Sequence, residues 1–515
     1  MSLTQFPWPK TPIGLHQHPT MGSYRIPNEF GGEIQKNGKN TRSSWLQYLA
    51  DSHGHGLHTV LGDATGSLDY ISAVVNAGIM PILRIHSDGG GPHPGLGISK
   101  DQARGIVDRG CLYIQVGNEP DSPREWGSAP DGWPLHGQLF IDALAAQFLH
   151  NSSEIISGGG IALLPALSPG TDRRYDREGN EVDDRNTRVS VYTLLRAWDR
   201  HGQLHIIRNW IETGKLAAAL HNRPVNHPLS YPDDLICVND PGYFQNRGYP
   251  NLNPNRVYND PTGLRAYELL DDLFINTFGT SVPIFATEAG YTDDTGDDSR
   301  YPRVRDEYSL VSASELANTD GLGGPYFGHS QMNLAILERF KPSASPRWRP
   351  AFAGVTFYNA LSGADSPTES WWANSGRGRN LAIVDLGARW WEKNQSHFLN
   401  WAPNWLSASP VVIPPPVEVP INPPVVIPPS NPPVVVPPSI PIPADNPMAS
   451  EMGYEFDGLK IAAHVESWSN EAVEFVKELG TKTIKIMDPS LDPFRDCHET
   501  VGFRSVNLRK YFTDE

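Results

Sequence analysis

Residues 111–126 read CLYIQVGNEPDSPREW, and the reading of this stretch decides the fold. Its first half, 112–116, is apolar and uncharged, with a Tyr and two β-branched residues. That is the pattern of a strand buried on both faces, as in a parallel sheet or barrel wall. Gly117-Asn118-Glu119-Pro120 stops it, because Pro120 has no N–H to give to a ladder. Asn118 and Glu119 are therefore expected at the carboxyl end of an interior strand, the rim where parallel α/β folds carry their chemistry. A polar pair that merely opens a loop looks the same in isolation, and a second carboxylate further along separates the two readings.

Working outward, a strand-then-helix rhythm recurs. Toward the amino terminus, 12–18 (PIGLHQH), 57–62 (LHTVLG) and 80–86 (MPILRIH) read as strands one to three, with helices over 43–50, 68–76 and 100–109. The last two helices stop at Gly78 and Gly110, a residue type that ends helices in a left-handed turn. Toward the carboxyl terminus come a helix over 139–150 and strand five at 161–167, awkward because of Pro165. One long helix is expected over 189–213, ending at Gly214, then strand six at 216–221 (LAAALH) and a helix over 264–277. Strand seven is 282–287 (VPIFAT), followed by a helix over 330–340; strand eight is 353–358 (AGVTFY), followed by a helix over 388–400. Eight such units in about 400 residues predict an α/β fold, a (β/α)8 TIM barrel. A doubly wound sheet would need a phosphate-binding glycine loop after strand one, and none is there.

The barrel domain is expected over 1–409. Residues 410–447 differ in kind: about two in five are proline, in a loose repeat of PPVVIPPS type. This predicts an extended Pro/Val linker rising ~3.1 Å per residue and reaching on the order of 100 Å. Beyond it, 459–466 (LKIAAHVE) and 483–487 (TIKIM) resemble strands around a helix at 470–479, so 448–515 reads as a short βαβ-like segment of a partial second barrel-like module.

Totals narrow the partners. A formal charge of −16 over 515 residues argues against nucleic acid or an anionic membrane surface, which need basic protein. Cys111, Cys237 and Cys497 are far apart, without metal-binding spacing, and the first two read as core thiols. No apolar run approaches the ~18 residues that span a bilayer. The opening MSLTQFPWPK lacks a secretion-leader pattern, so either the protein is intracellular or a leader has been removed. The modular layout with its long linker favours a secreted or surface protein, and a monomer is expected.

Strand seven runs into Thr287-Glu288-Ala289-Gly290-Tyr291, which places Glu288 on the same rim as Glu119, three strands round the wall. Two carboxylates across one barrel mouth suit glycosidic-bond cleavage. One donates a proton to the leaving oxygen and the other attacks the anomeric carbon. With Asn-Glu ending strand four and Glu ending strand seven, residues ~10–400 resemble the glycoside hydrolases of clan A, retaining enzymes on a (β/α)8 barrel. The resemblance implies Glu119 as acid/base, Glu288 as nucleophile and Asn118 as a ligand of the sugar 2-hydroxyl, with no cofactor and no metal. It also implies substrate contacts from His86, at the end of strand three, and from His221 and Asn222, at the end of strand six. Structural roles for both histidines stay open.

One departure from the clan is visible. A Trp often ends strand eight there, whereas Phe357-Tyr358-Asn359 stands here and Trp371-Trp372 follow in the loop. Tyr291, Tyr358, Trp371 and Trp372 are candidate substrate contacts, the Trp pair as a stacking platform or as buried loop anchors. Trp390-Trp391 read as packing. Asp293–Asp298 looks like a calcium loop without its distal Glu and reads as solvated, and the glycines of 89–97 read as a rim loop.

Two other classes compete. His16-Gln17-His18 ends strand one as in metal-dependent amidohydrolase barrels, with His221 and Asp365 as further ligands, but strand five supplies no histidine. A catalytically silent barrel that binds carbohydrate is the third class. Loss of turnover in Glu119→Gln separates it from a glycosidase, and chelator sensitivity separates the metal hydrolase from both.

Overall fold

Short runs of alternating core residues bounded by Gly and Pro fold into the strands expected of them. The computed structural model describes residues 3–17, 42–85, 97–121, 137–167, 190–239, 257, 262–292, 295–305, 326–358 and 381–407, with short strand fragments elsewhere. Eight strands close a parallel barrel. They are β1 (Ile13–Gln17), β2 (Leu57–Gly62), β3 (Met80–Ile85), β4 (Tyr113–Val116), β5 (Ile161–Leu164), β6 (Leu216–Asn222), β7 (Ile284–Ala289) and β8 (Phe352–Phe357). Each pairs with its sequence neighbours, and β1 closes the ring between β8 and β2. The fold is a TIM barrel.

Alternation along the strands builds two cores. Ile13, Leu15, Val60, Leu83, Ile114, Ala218, Ile284 and Val355 pack outward in the larger core with the surrounding helices. Inside the barrel, Leu57, Ile82, Tyr113, Ile161, Ala217, Phe285 and Ala353 form a separate apolar floor, with Tyr113 and Phe285 edge to face at 4.8 Å. The Tyr113 hydroxyl donates to the Pro7 carbonyl at 2.7 Å, and Trp8 packs against this floor, so the amino-terminal segment plugs its lower end. Above the floor the interior turns polar: His16, Thr59, Arg84, Gln115, His221, Thr287 and Thr356 are all buried. Thr59 and Thr356 share a hydrogen bond at 2.9 Å, and Thr356 donates on to the Thr287 carbonyl at 2.8 Å. Buried polar groups on a barrel wall need such partners, and this layer supports the mouth above it.

Three expectations are corrected. The single helix over 189–213 is two, Val191–Arg200 and Leu204–Glu212. Gly202 (φ 66) breaks it: its N–H bonds the Asp199 carbonyl and the Gln203 N–H bonds that of Trp198, a Schellman stop of the kind already read at Gly78, Gly110 and Gly214. Strand seven starts and ends two residues later than expected, so Glu288 lies within the strand. The helix expected over 388–400 starts earlier and ends at Asn394, and a separate helix covers Trp401–Ser407.

The chain divides into two compact units, Met1–Val411 and Val412–Glu515. In the second, the described ladders are antiparallel: Glu455–Phe456 with Leu459–Lys460, and Phe503–Asn507 with both Thr483–Ile484 and His498–Thr500. The linker at 410–447 and the expected helix at 470–479 lie outside the described residues. No described helix is long and apolar enough to cross a membrane.

Candidate active site

The mouth is assembled by the ends of β3, β4, β6 and β7. Past Val116 the chain turns through Gly117 (φ 90), whose N–H still bonds the Ile85 carbonyl at 3.0 Å, and Glu119 itself sits at φ 39. A non-glycine residue in the left-handed region is uncommon and clusters at functional sites. Across the barrel, the β6–β7 register shifts between Leu220 and His221, so that His221 pairs with Glu288. Such an irregularity re-aims a side chain near a barrel rim. Here Thr287 and Glu288 both end up buried, with Thr287 bonded to Gln115 inside the barrel at 3.4 Å.

The two carboxylates meet through a histidine. His221 Nδ1 lies 2.6 Å from Glu119 Oε1 and 3.8 Å from Glu288 Oε2. On the other side of the ring, Arg84 Nη1 lies 3.0 Å from His221 Nε2 and 2.5 Å from Glu288 Oε1. Arginine can only donate, so Nε2 accepts and the imidazole proton resides on Nδ1, from where it is given to Glu119. The second oxygen of Glu288 accepts from Arg223 Nη2 at 2.6 Å. The Arg223 guanidinium stands 3.9 Å from the centre of the Tyr358 ring, and Tyr358 faces the His16 ring at 5.0 Å.

Electrostatics follow from this wiring. Burial pushes the Glu119 carboxyl up, but His221 outweighs it by hydrogen bond and field; Glu288 opposes and Arg223 assists, leaving the group below its ordinary value. Burial also opposes ionisation of Glu288, yet His221, Arg84, Arg223 and His16 together hold it well below the carboxylate range. His16 is buried, and burial followed by Arg84 keeps its imidazole well below the usual histidine range. Among the described residues, neither of its ring nitrogens has a hydrogen-bond partner.

Among the described residues, Glu119, His221 and Glu288 are the ligand-type side chains whose donor atoms converge, all within 4.8 Å of one another. The surrounding chemistry does not suit a cation. Both oxygens of Glu288 are taken by guanidinium groups that already supply the counter-charge, and His221 turns a proton toward Glu119. His16 stands outside the trio, which leaves the amidohydrolase-type reading without its first ligand there; His18 and Asp365 lie outside the described residues.

Other expected site residues separate by position. Asn118 is half-buried beside Glu119 on the rim, and Tyr358 is half-buried at the mouth. Asn222 is buried and gives its amide to the Leu264 carbonyl at 2.7 Å, outside the barrel interior. Tyr291 is buried too, its hydroxyl donating to the His227 carbonyl at 2.5 Å and its N–H to Asn333 Oδ1 at 2.8 Å. His86, Trp371 and Trp372 lie outside the described residues. Trp390 and Trp391 pack at 5.8 Å from Phe398, as core residues do. Arg84 and Arg223 are the site residues that sequence reasoning missed. Arg84 had a signal, the lone charge within a strand otherwise made for burial (MPILRI).

Downstream of Arg223 the chain is tightly held. Val225 adopts φ 58, strained for a β-branched residue. Buried Asn226 anchors it, donating to the carbonyls of Asp298, Tyr301 and Pro302 at 2.8, 3.1 and 3.2 Å and accepting from the Asp298 N–H at 3.0 Å. Asp298 in turn takes His227 at 3.1 Å and Arg300 at 2.5 Å, which hold its carboxyl far below the ordinary range against the opposing effect of burial.

Comparison with known proteins finds no matching protein-family model and no matching curated protein. Among solved structures, the chain is similar to ZgEngAGH5_4 in complex with a cellotriose (11% identity, 74% of this chain and 98% of that one, TM-score 0.37). It is also similar to fungal β-1,4-galactanases (11% identity, 72% and 98% covered, TM-score 0.37). A sugar phosphate isomerase/epimerase from Parabacteroides distasonis ATCC 8503 matches as well (10% identity, 76% and 96% covered, TM-score 0.32). At this degree of likeness, the fold rests on the strand order of the barrel itself and the chemistry on the geometry of its mouth.

Proposed function

We propose that this chain is a retaining β-glycoside hydrolase of clan A type, acting on a poly- or oligosaccharide. The observation that carries the reading is the approach of the two carboxylates: an oxygen of Glu119 and one of Glu288 lie within 4.8 Å across a polar barrel mouth. Direct attack by one carboxylate suits a separation of ~5–5.5 Å, whereas an intervening water needs ~6.5–9.5 Å. The mouth therefore favours a covalent route over water-mediated inversion.

In this mechanism an ionised Glu288 oxygen attacks the anomeric carbon. The bond to the leaving oxygen breaks, its electron pair stays with that oxygen, and Glu119 supplies the proton. Water then attacks the same carbon, giving its proton back to Glu119 and releasing Glu288. Arg84 holds Glu288 ionised from the barrel wall, and His221 ties the two carboxylates together. Asn118, beside Glu119, would bind the sugar 2-hydroxyl, a role supported by its position on the rim. The two-unit layout with a Pro/Val-rich join favours a secreted or surface monomer in which 1–409 carries catalysis.

The test is a panel of aryl β-glycosides and wall polysaccharides assayed with the parent, Glu119→Gln and Glu288→Gln. Turnover by the parent and loss of at least about a thousandfold in Glu288→Gln support the proposal. Equal binding and no turnover in all three would leave a silent carbohydrate-binding barrel.

A further inference from the structure

We propose that Arg223 is a positioning residue that guards the nucleophile: it caps Glu288 until substrate enters the mouth and then gives way onto Tyr358. The inference rests on Glu288 being the nucleophile and goes beyond it.

Three observations carry it. First, both oxygens of Glu288 are occupied, one by each arginine, so in this arrangement the carboxylate has a guanidinium where the anomeric carbon must approach. Second, the two arginines are not equivalent. The Arg84 side chain is 2% exposed and fixed in the wall of β3, whereas that of Arg223 is 26% exposed and lies just past the end of β6. If either yields to an incoming sugar, it is Arg223. Third, a landing place exists. The Arg223 guanidinium already faces the Tyr358 ring at 3.9 Å, and a cation over an aromatic face is attracted there without an anionic partner. The backbone need not move, because Asn226 pins the chain three residues on.

Displacement also bears on the acid. Arg223 lowers the Glu119 carboxyl and Glu288 raises it. Drawing the guanidinium off Glu288 weakens the first influence and unmasks the second, so Glu119 takes up its proton more readily once sugar is bound. The free enzyme would thus keep its nucleophile covered and its acid ionised, and substrate would reverse both.

The test uses the full chain and dinitrophenyl 2-fluoroglycosides of the gluco, galacto, manno and xylo series. Here a Glu288 oxygen displaces dinitrophenolate, which leaves with the bonding pair and needs no proton, so the trapping rate is independent of Glu119, and its plateau above the acid limb compares access to an ionised nucleophile. The parent, Arg223→Met and Arg223→Lys are compared by intact mass and peptide mapping across pH, with a thermal melt for each. Guarding predicts that Arg223→Met traps at Glu288 at least threefold faster than the parent, with its acid limb moved up in pH, and that Arg223→Lys falls between. Slower or unchanged trapping in a folded Arg223→Met, with Glu288 still the labelled residue, overturns guarding and leaves Arg223 as an ordinary support of Glu288. A variant that fails to melt cooperatively hands the decision to Arg223→Lys, where trapping no faster than the parent overturns the proposal. Absence of label on Glu288 in the parent and both variants overturns the nucleophile assignment itself and guarding with it.

Discussion

Replacing Arg84 by Met gives the sharpest stability test of the site. Arg84 and Glu288 are both buried, and Arg84 Nη1 serves Glu288 Oε1 at 2.5 Å and His221 Nε2 at 3.0 Å. Removing one partner of a buried ion pair typically costs ~3–5 kcal/mol, because the other charge is left without compensation. Two features of this site bring the figure down. Arg223 stays on the second oxygen, and Glu288 can escape by taking a proton once its pKa has risen. We expect a loss of about 3 kcal/mol at pH 7, read by urea unfolding of the full chain. The pH dependence has a definite sign. A carboxyl held low in the folded state stabilises the fold above its unfolded pKa and loses that contribution as pH falls through the folded value. In Arg84→Met the loss on the acid side should shrink, because Glu288 no longer sits so far below the ordinary carboxylate range. Adding Glu288→Gln closes a double-mutant cycle, and a coupling of at least ~1.5 kcal/mol is expected for side chains in direct contact. A loss under about 1 kcal/mol, or additive single effects, would refute the view that the wall arginine holds this carboxylate ionised.

Three further outcomes follow from the same reasoning. Arg349, 28% exposed on its side chain, joins Asp272 at 2.6 Å and the buried Asp271 and Glu268 at 3.3 Å each, so Arg349→Ala should lower stability by roughly 2–3 kcal/mol in denaturant titration, well beyond a surface ion pair. His55, just before β2, and His58, within it and against Tyr70, are buried and neutral; burial alone takes His58 to about 3, and burial followed by His53 and His58 lowers His55. The unfolded chain therefore binds the extra protons, and stability should fall as pH drops from 6.5 toward 3, at about 1.4 kcal/mol per unit from His58, with His55 adding in the same direction and His58→Gln flattening the slope in pH-dependent melts. Gly290 (φ 96) admits no side chain, since a Cβ would lie 2.5 Å from Phe357 and 2.8 Å from the Asn333 oxygen that holds Tyr291; Gly290→Ala should lower both the melting temperature and the Glu288 trapping rate.

Most of the barrel is legible in the sequence because its punctuation is local. Each strand is a short apolar run that stops at Gly, Pro or a polar cluster, and helix-ending glycines such as Gly78 and Gly110 announce themselves. Gly202 carries the same signal, but inside an otherwise helical stretch whose periodicity on either side masks it. The carboxylate pair is legible for a similar reason: Glu119 follows the end of one apolar strand, and Glu288 follows the apolar run 282–286 that opens another. Their neighbours are harder to place. Strand alternation, applied to His221, already turns Asn222 away from the barrel interior. The irregularity that brings Glu288 inward depends on pairing between β6 and β7, which no single segment encodes. Arg223 is less legible still, because its partners, Glu288 and Tyr358, come from two other strands.

The measurement that bears most directly on the central claim is the anomeric configuration of the sugar first released, followed by proton NMR before mutarotation. With Glu119 and Glu288 oxygens within 4.8 Å, the account predicts that a β-linked substrate yields the β anomer first. Initial release of the α anomer would mean that water, and not Glu288, attacks the sugar, and would contradict the account.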